Sequence, residues 1–282
     1  MRVPIELKTM TLADGRTVSW AEYGDPAGLP VFYLHGGGAC HIEGAWFHRE
    51  AVAAGIRIVA PDRPSAGRST PEPGRSILDF AGDAAQLADR LGITRFVVSG
   101  NSNGGMFTMG VAFALPGRVI GAAPINSATP IYDPIHRPMV PASLRWLWTL
   151  VKYLPRAFLW LGRRARSKGA AAGATPADTE PEVVALVEAN LDSVSWQTIQ
   201  RELELATRPW GFDHRAVPCP VVIFSGESDL SLYYADTWAR ELRNGRSARL
   251  TGGHIPVAPA SRRLIVSTWR DLHGRRDESE RR

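Results

Sequence analysis

The residues with the clearest chemistry are Gly100-Asn101-Ser102-Asn103-Gly104, directly after the apolar run Phe96-Val97-Val98-Ser99. A serine between two glycines, where a strand turns into a helix, sits on a sharp and strained bend. Its Oγ then projects past the strand end, and the first N–H groups of the helix face any anion formed there. Two partners follow in the chain. Pro220-Val221-Val222-Ile223-Phe224 reads as a buried strand running into Ser225-Gly226-Glu227-Ser228-Asp229. A carboxylate just past that strand end is placed to receive a histidine N–H. Leu250-Thr251-Gly252-Gly253-His254 follows, with a glycine pair that lets the chain turn and present an imidazole. Serine, then aspartate, then histidine is the chain order expected of a serine at such a strand-to-helix bend with its partners.

Upstream, the strand Val31-Phe32-Tyr33-Leu34 ends in His35-Gly36-Gly37-Gly38. Three glycines leave backbone N–H groups uncovered. That of Gly37 is expected to pair with the N–H of Asn103 as an oxyanion hole. Gly38, Trp46 and Asn101 are further candidates for substrate contact. Asp133, after the strand ending near Asn126, is the rival for the acid role, and Glu227 is read as a turn residue. His35 is read as a brace for its own loop and Cys40 as a small buried hydrophobe.

With these residues in order, the chain resembles the α/β-hydrolase superfamily, of the bacterial kind with a lid. His-Gly-Gly-Gly, Asp-Arg-Pro-x-x-Gly-Arg-Ser at 62–69, Gly-Asn-Ser-x-Gly-Gly, Gly-Glu-Ser-Asp and Gly-Gly-His carry the likeness. The resemblance implies Ser102 as nucleophile, His254 as base, Asp229 as acid, and no cofactor or metal. It implies an α/β fold: a mostly parallel eight-stranded sheet with helices on both faces and an inserted helical lid. Asn101 before the serine resembles the carbon–carbon bond hydrolases of aromatic degradation. A diketone-like substrate is therefore one alternative to an ester or lactone, and a non-hydrolytic binder or cyclase is another.

The elements that position these groups alternate. Residues 5–12 and 17–23 read as a hairpin around Asp14-Gly15. Then come strand 31–35, a helix near 44–54, strand 57–61, helix 77–92, strand 96–99, helix 102–115 and strand 119–125, and the pattern resumes over 220–273. The core is thus expected over 1–127 and 216–273, a helical lid over 128–215, and a charged, disordered tail over 274–282.

The lid carries Trp146, Leu150, Tyr153, Ala157 and Trp160, spaced four, three, four, three, which puts them on one helical stripe. That stripe is expected to face the active site, with Trp146 and Trp160 touching an apolar or aromatic substrate. Arg145, Lys152, Arg156 and Arg163 form a second stripe about a quarter-turn away. It is expected to face solvent, an anionic membrane surface or an acidic carrier protein.

Of the 282 residues 44% are hydrophobic and 22% charged, which fits one packed domain and excludes a disordered chain. The net charge of +5 comes with no nucleic-acid motif. Two cysteines, Cys40 and Cys219, build no disulfide framework. With no apolar leader at the start and no apolar run long enough to span a bilayer, a cytoplasmic location is expected.

Overall fold

The computed structural model describes residues 3, 5–127, 129, 134–154, 156–157, 160–161, 176–193 and 196–279. The sequence alternation resolves into eight strands: β1 Lys8–Thr11, β2 Thr17–Gly24, β3 Leu29–Leu34, β4 Ile56–Pro61, β5 Phe96–Asn101, β6 Val119–Ile125, β7 Val221–Gly226 and β8 Gly245–Leu250. They form one sheet in the order β1-β2-β4-β3-β5-β6-β7-β8. β2 runs antiparallel to β1 and β4, and β3 to β8 are parallel. Among the described residues the helices with defined bounds are α1 His48–Ala54, α2 Asp79–Arg90, α3 Asn103–Ala114, α4 Ala142–Tyr153, α5 Pro181–Asp192, α6 Trp196–Ala206, α7 Ala235–Glu241 and α8 Pro259–Ser279.

Each central strand is apolar on both sides because both faces of the sheet are covered. Phe32, Leu34, Phe96, Val98, Val221 and Ile223 enter one core with Phe80 of α2 and Phe107 of α3. Their alternates Val31, Tyr33, Val97, Val222 and Phe224 enter the opposite core with Ala51 of α1 and Trp269 of α8. A period of two thus divides one strand between two cores. Phe32, Phe96, Phe107 and Trp269 are fully buried.

Two expectations change. The helix near 44–54 is a 3-10 segment, His41–Phe47, followed by α1. The C-terminal helix does not stop at His273 but continues to Ser279, because the Arg-, Asp- and Glu-rich segment holds no breaker stronger than Gly274.

Among the described residues between β6 and β7 lie the helices α4, α5 and α6. Val183 and Val187 of α5 join the core around Tyr33, and Ala206 and Trp210 join the other. Among the described residues no helix is long and apolar enough to cross a membrane.

Candidate active site

β5 ends at Asn101 and α3 begins at Asn103, which leaves Ser102 alone at the bend with φ 53° and ψ −122°. This backbone conformation costs a non-glycine residue about 1–3 kcal/mol. Ser102 N–H donates to Ile125 O at 2.8 Å, and Ser102 O accepts from Gly105 N at 3.0 Å, so both neighbours hold the bend in place. The glycines are sterically required. A Cβ on Gly104 would lie 2.0 Å from Leu34 O, and one on Gly100 would lie 2.6 Å from the same atom. Ser102 Oγ makes no hydrogen bond among the described residues.

Asp229 lies three residues past β7 and is buried. Its Oδ1 accepts Ser231 N–H at 2.8 Å, and its Oδ2 lies 2.7 Å from His254 Nδ1. The carboxylate fixes the proton on Nδ1 and leaves Nε2 as the acceptor. Burial pushes the Asp229 carboxyl up, but the hydrogen bond and charge of His254 outweigh it, and the group titrates below the usual carboxylate range. Burial likewise pulls His254 down, and the Asp229 hydrogen bond and charge, with the charge of Glu43, more than reverse that. The His254 side chain is 54% exposed, so the ring reaches the surface of the site.

Asn126, one residue past β6, ties the two loops together. Its Nδ2 donates to Gly253 O and His254 O, each at 3.0 Å, and its Oδ1 accepts Gly226 N–H at 2.7 Å. Its own φ is 46°. Ile125 holds the Ser102 bend and Asn126 the His254 loop, so one strand end serves both.

The three glycines differ. Gly36 N–H donates to Glu43 Oε2 at 2.9 Å, and Gly38 N–H to Glu202 Oε2 at 3.1 Å. Gly37 N–H makes no hydrogen bond among the described residues. Gly37 is also the one of the three that is not buried. The Asn103 amide packs against it, 2.7 Å from where a Cβ would sit. Asn103 N–H has no acceptor in its helix, being at the first helical position.

Arg63 supports this loop from below and is fully buried. It donates to His35 O, to Gly36 O at 2.9 Å and to Glu202 Oε1 at 2.7 Å. Its guanidinium lies 4.6 Å from the centre of the Phe107 ring. His35 Nε2 accepts Arg63 N–H at 3.1 Å, so its Nδ1 donates to Gly36 O. Burial, then the Arg63 charge, holds this imidazole well below its usual range. His35 is a neutral brace, as its place in the turn predicts.

Sequence reasoning missed Glu43, Glu202, Arg63 and Asn126 as parts of this site. Glu43 is 3% exposed, and burial pushes its carboxyl up to about 7 against the pull of the Gly36 N–H, Arg63 and Asn190. Asn190 donates to its Oε1 at 3.3 Å. The available signal for Glu43 was an acid set among apolar residues seven positions past Gly36.

Other expected contacts need correction. Trp46 is buried in the core beside Phe47, because the 3-10 turn points it inward. Gly38 has its N–H occupied by Glu202. Trp146 and Trp160 are 75% and 58% exposed, so the aromatic stripe is not packed inward. A four-three spacing identifies a stripe but not the side it faces. Arg145, Lys152 and Arg156 are exposed as expected, whereas Asp133 and Arg163 lie outside the described residues. Asn101 is buried, and its Oδ1 has no hydrogen-bond partner. Cys40 and Cys219 are free and buried, and burial pushes their thiols up to about 11 and 12.

A profile of the alpha/beta hydrolase family matches residues 31–265. Among curated proteins, a non-heme chloroperoxidase from Streptomyces lividans is 32% identical over 127 residues, 44% of this chain and 45% of that protein. A proline iminopeptidase from Xanthomonas citri is 34% identical over 116 residues, 39% of this chain and 36% of that protein. The chain thus matches less than half the length of these relatives. An esterase structure from Exiguobacterium antarcticum superposes with a TM-score of 0.71 at 18% identity, covering 94% of this chain and 99% of that one.

Proposed function

Since the chain belongs to the alpha/beta hydrolase family, we propose that it is a serine hydrolase cleaving an ester or lactone of an apolar or aromatic small molecule. The observations that carry this reading are the 2.7 Å Asp229–His254 contact and the serine held at φ 53° at the end of β5. His254 Nε2 takes the Ser102 proton as Oγ attacks the carbonyl carbon. Asp229 holds the tautomer and stabilises the imidazolium that forms. The unengaged N–H groups of Gly37 and Asn103 receive the oxyanion, each contributing on the order of 3 kcal/mol. His254 then protonates the leaving alcohol and activates the water that releases the acid from Ser102. In this reading the helices at 142–206 form a lid. The exposed Trp146, Tyr153 and Trp160, beside Arg145, Lys152 and Arg156, support docking of that lid on an anionic membrane surface.

The buried, unpartnered Oδ1 of Asn101 favours one second reading. It would receive a hydroxyl of a diketone-like substrate during carbon–carbon cleavage. The test is a fluorophosphonate label on wild type and Ser102→Ala, followed by p-nitrophenyl esters, a lactone, a vinylogous diketone and proline p-nitroanilide. Labelling at Ser102 with turnover of the esters or lactone supports the proposal. Exclusive turnover of the diketone or the anilide overturns the ester reading, and absence of label overturns the serine hydrolase.

A further inference from the structure

His136 and His214 lie at the two ends of the insertion, 78 positions apart in a chain numbered to 282. Both meet Glu241, the last residue of α7. His136 Nε2 is 2.8 Å from Glu241 Oε1, and His214 Nε2 is 3.0 Å from Glu241 Oε2. The two imidazoles are buried at 0% and 3% exposure, with ring centres 5.7 Å apart. Trp210 and Trp238 close over His214 edge-on.

We propose that His136, His214 and Glu241 form a binding site for a divalent transition metal of the zinc class, which staples both ends of the insertion to α7. The donor set is two imidazole nitrogens and one carboxylate, which suits zinc and leaves a fourth position for water or the second carboxylate oxygen. The three donor groups lie within 4.8 Å of one another. Tetrahedral bonds of about 2.0–2.1 Å set donors roughly 3.3 Å apart. A metal would open the two histidine–carboxylate contacts by a few tenths of an ångström and draw the widest donor separation, at most 4.8 Å, inward to that spacing.

Proton placement is consistent. Each ring moves its proton from Nε2 to Nδ1, with no net loss, and the metal takes the vacated lone pair. For His136 an acceptor already waits, since Thr129 Oγ1 is hydrogen-bonded to Nδ1. An outer partner of this kind fixes the tautomer of a ligating histidine. Arg215, 3.5 Å from Glu241 Oε2, is the cation that a metal would have to displace or tolerate. The other close group, Cys40, His41 and Asp62, differs. There Asp62 already accepts from Ser19 Oγ at 2.6 Å and from the His41 backbone at 2.7 Å.

The experiment uses the full chain without a histidine tag, stripped by chelator and titrated with zinc alone in a calorimeter. One equivalent is expected to bind, and at a hundredfold excess over its dissociation constant to raise the melting temperature by roughly 4 °C. Thr129→Val should weaken binding about tenfold, His214→Gln and Glu241→Gln more, and Cys40→Ser not at all. Histidine side-chain NMR of the wild type should show zinc shifting His136 and His214, a readout that needs no variant to fold. No zinc binding, unchanged binding in the His136→Gln/His214→Gln protein, or zinc shifts confined to other histidines each overturns the proposal.

Discussion

Replacing Glu43 by glutamine removes one buried titration and leaves the shape of the site. The carboxyl titrates at about 7 in the folded protein against an ordinary value of 4.5. Each unit of difference is worth about 1.4 kcal/mol. Because the folded state holds this proton more tightly, its contribution to stability is fully present below pH 4.5 and is lost as pH rises through about 7. The loss amounts to about 3 kcal/mol, from burial opposed by Gly36, Arg63 and Asn190. Glutamine carries no titrating proton, and its amide oxygen still accepts the Gly36 N–H. Urea unfolding of both proteins across this range should show the stability of wild type falling relative to Glu43→Gln by that amount. The same substitution removes a negative charge that raises His254, so the acid limb of kcat/KM should move to lower pH. Parallel stability profiles from pH 4 to 8 would refute the buried acid and the electrostatics argued from it.

Asp229→Asn should lower kcat on a p-nitrophenyl ester on the order of 10⁴-fold. It should also move the acid limb downward in pH, since Asp229 is what raises His254; an unmoved limb would assign that titration elsewhere. Glu202→Ala leaves Arg63 buried without its carboxylate and should cost about 3–5 kcal/mol by urea unfolding. The double change Arg63→Met/Glu202→Leu should restore only part of that stability, because Arg75 stays buried without the Glu202 carboxylate and Gly38 loses its acceptor. Asn126→Ala should cost activity through a loosened His254 loop, read as a fall in kcat with little change in KM. Gly104→Ala places a Cβ 2.0 Å from Leu34 O and should abolish fluorophosphonate labelling even where the protein still folds, as judged by circular dichroism.

The Ser102 bend and the Asp229–His254 contact were legible because each residue is written into a short strand-to-turn segment. Ser102, Asp229 and His254 follow apolar runs and sit beside glycines, and no distant residue is needed to recognise them. The sheet was legible for the same reason: strands such as 119–125 are apolar throughout, and the order of strands and helices admits few topologies. Glu43, Glu202 and Asn126 were not legible. Glu202 and Asn126 act through partners far away in the chain, of which a single sequence holds no trace, and Glu43, though only seven positions past Gly36, owes its burial to packing that includes the distant Asn190. The orientation of α4 failed for another reason. In α4 the aromatic residues Trp146 and Tyr153 and the basic Arg145 and Lys152 are all exposed, and only the packing of neighbours decides which face of a helix is covered. The extra turns of α8 were missed because charged residues read as tail until a helix already under way carries them along.

The Glu202 carboxylate has a consequence for how this chain can be altered. It lies on a helix of the insertion, yet one oxygen holds Arg63 and the other holds Gly38. Asn190, on the neighbouring helix, reaches Glu43 and the Cys40 backbone in the same way. The insertion is therefore not a removable cover on a self-sufficient core. Grafting a different one would strip the Gly38 and Cys40 backbone N–H groups of their acceptors and leave the buried Arg63 guanidinium without its carboxylate. A graft that works must bring its own carboxylate to that spot or arrive together with a changed residue 63. Swapping specificity here means exchanging two distant stretches of chain as one part.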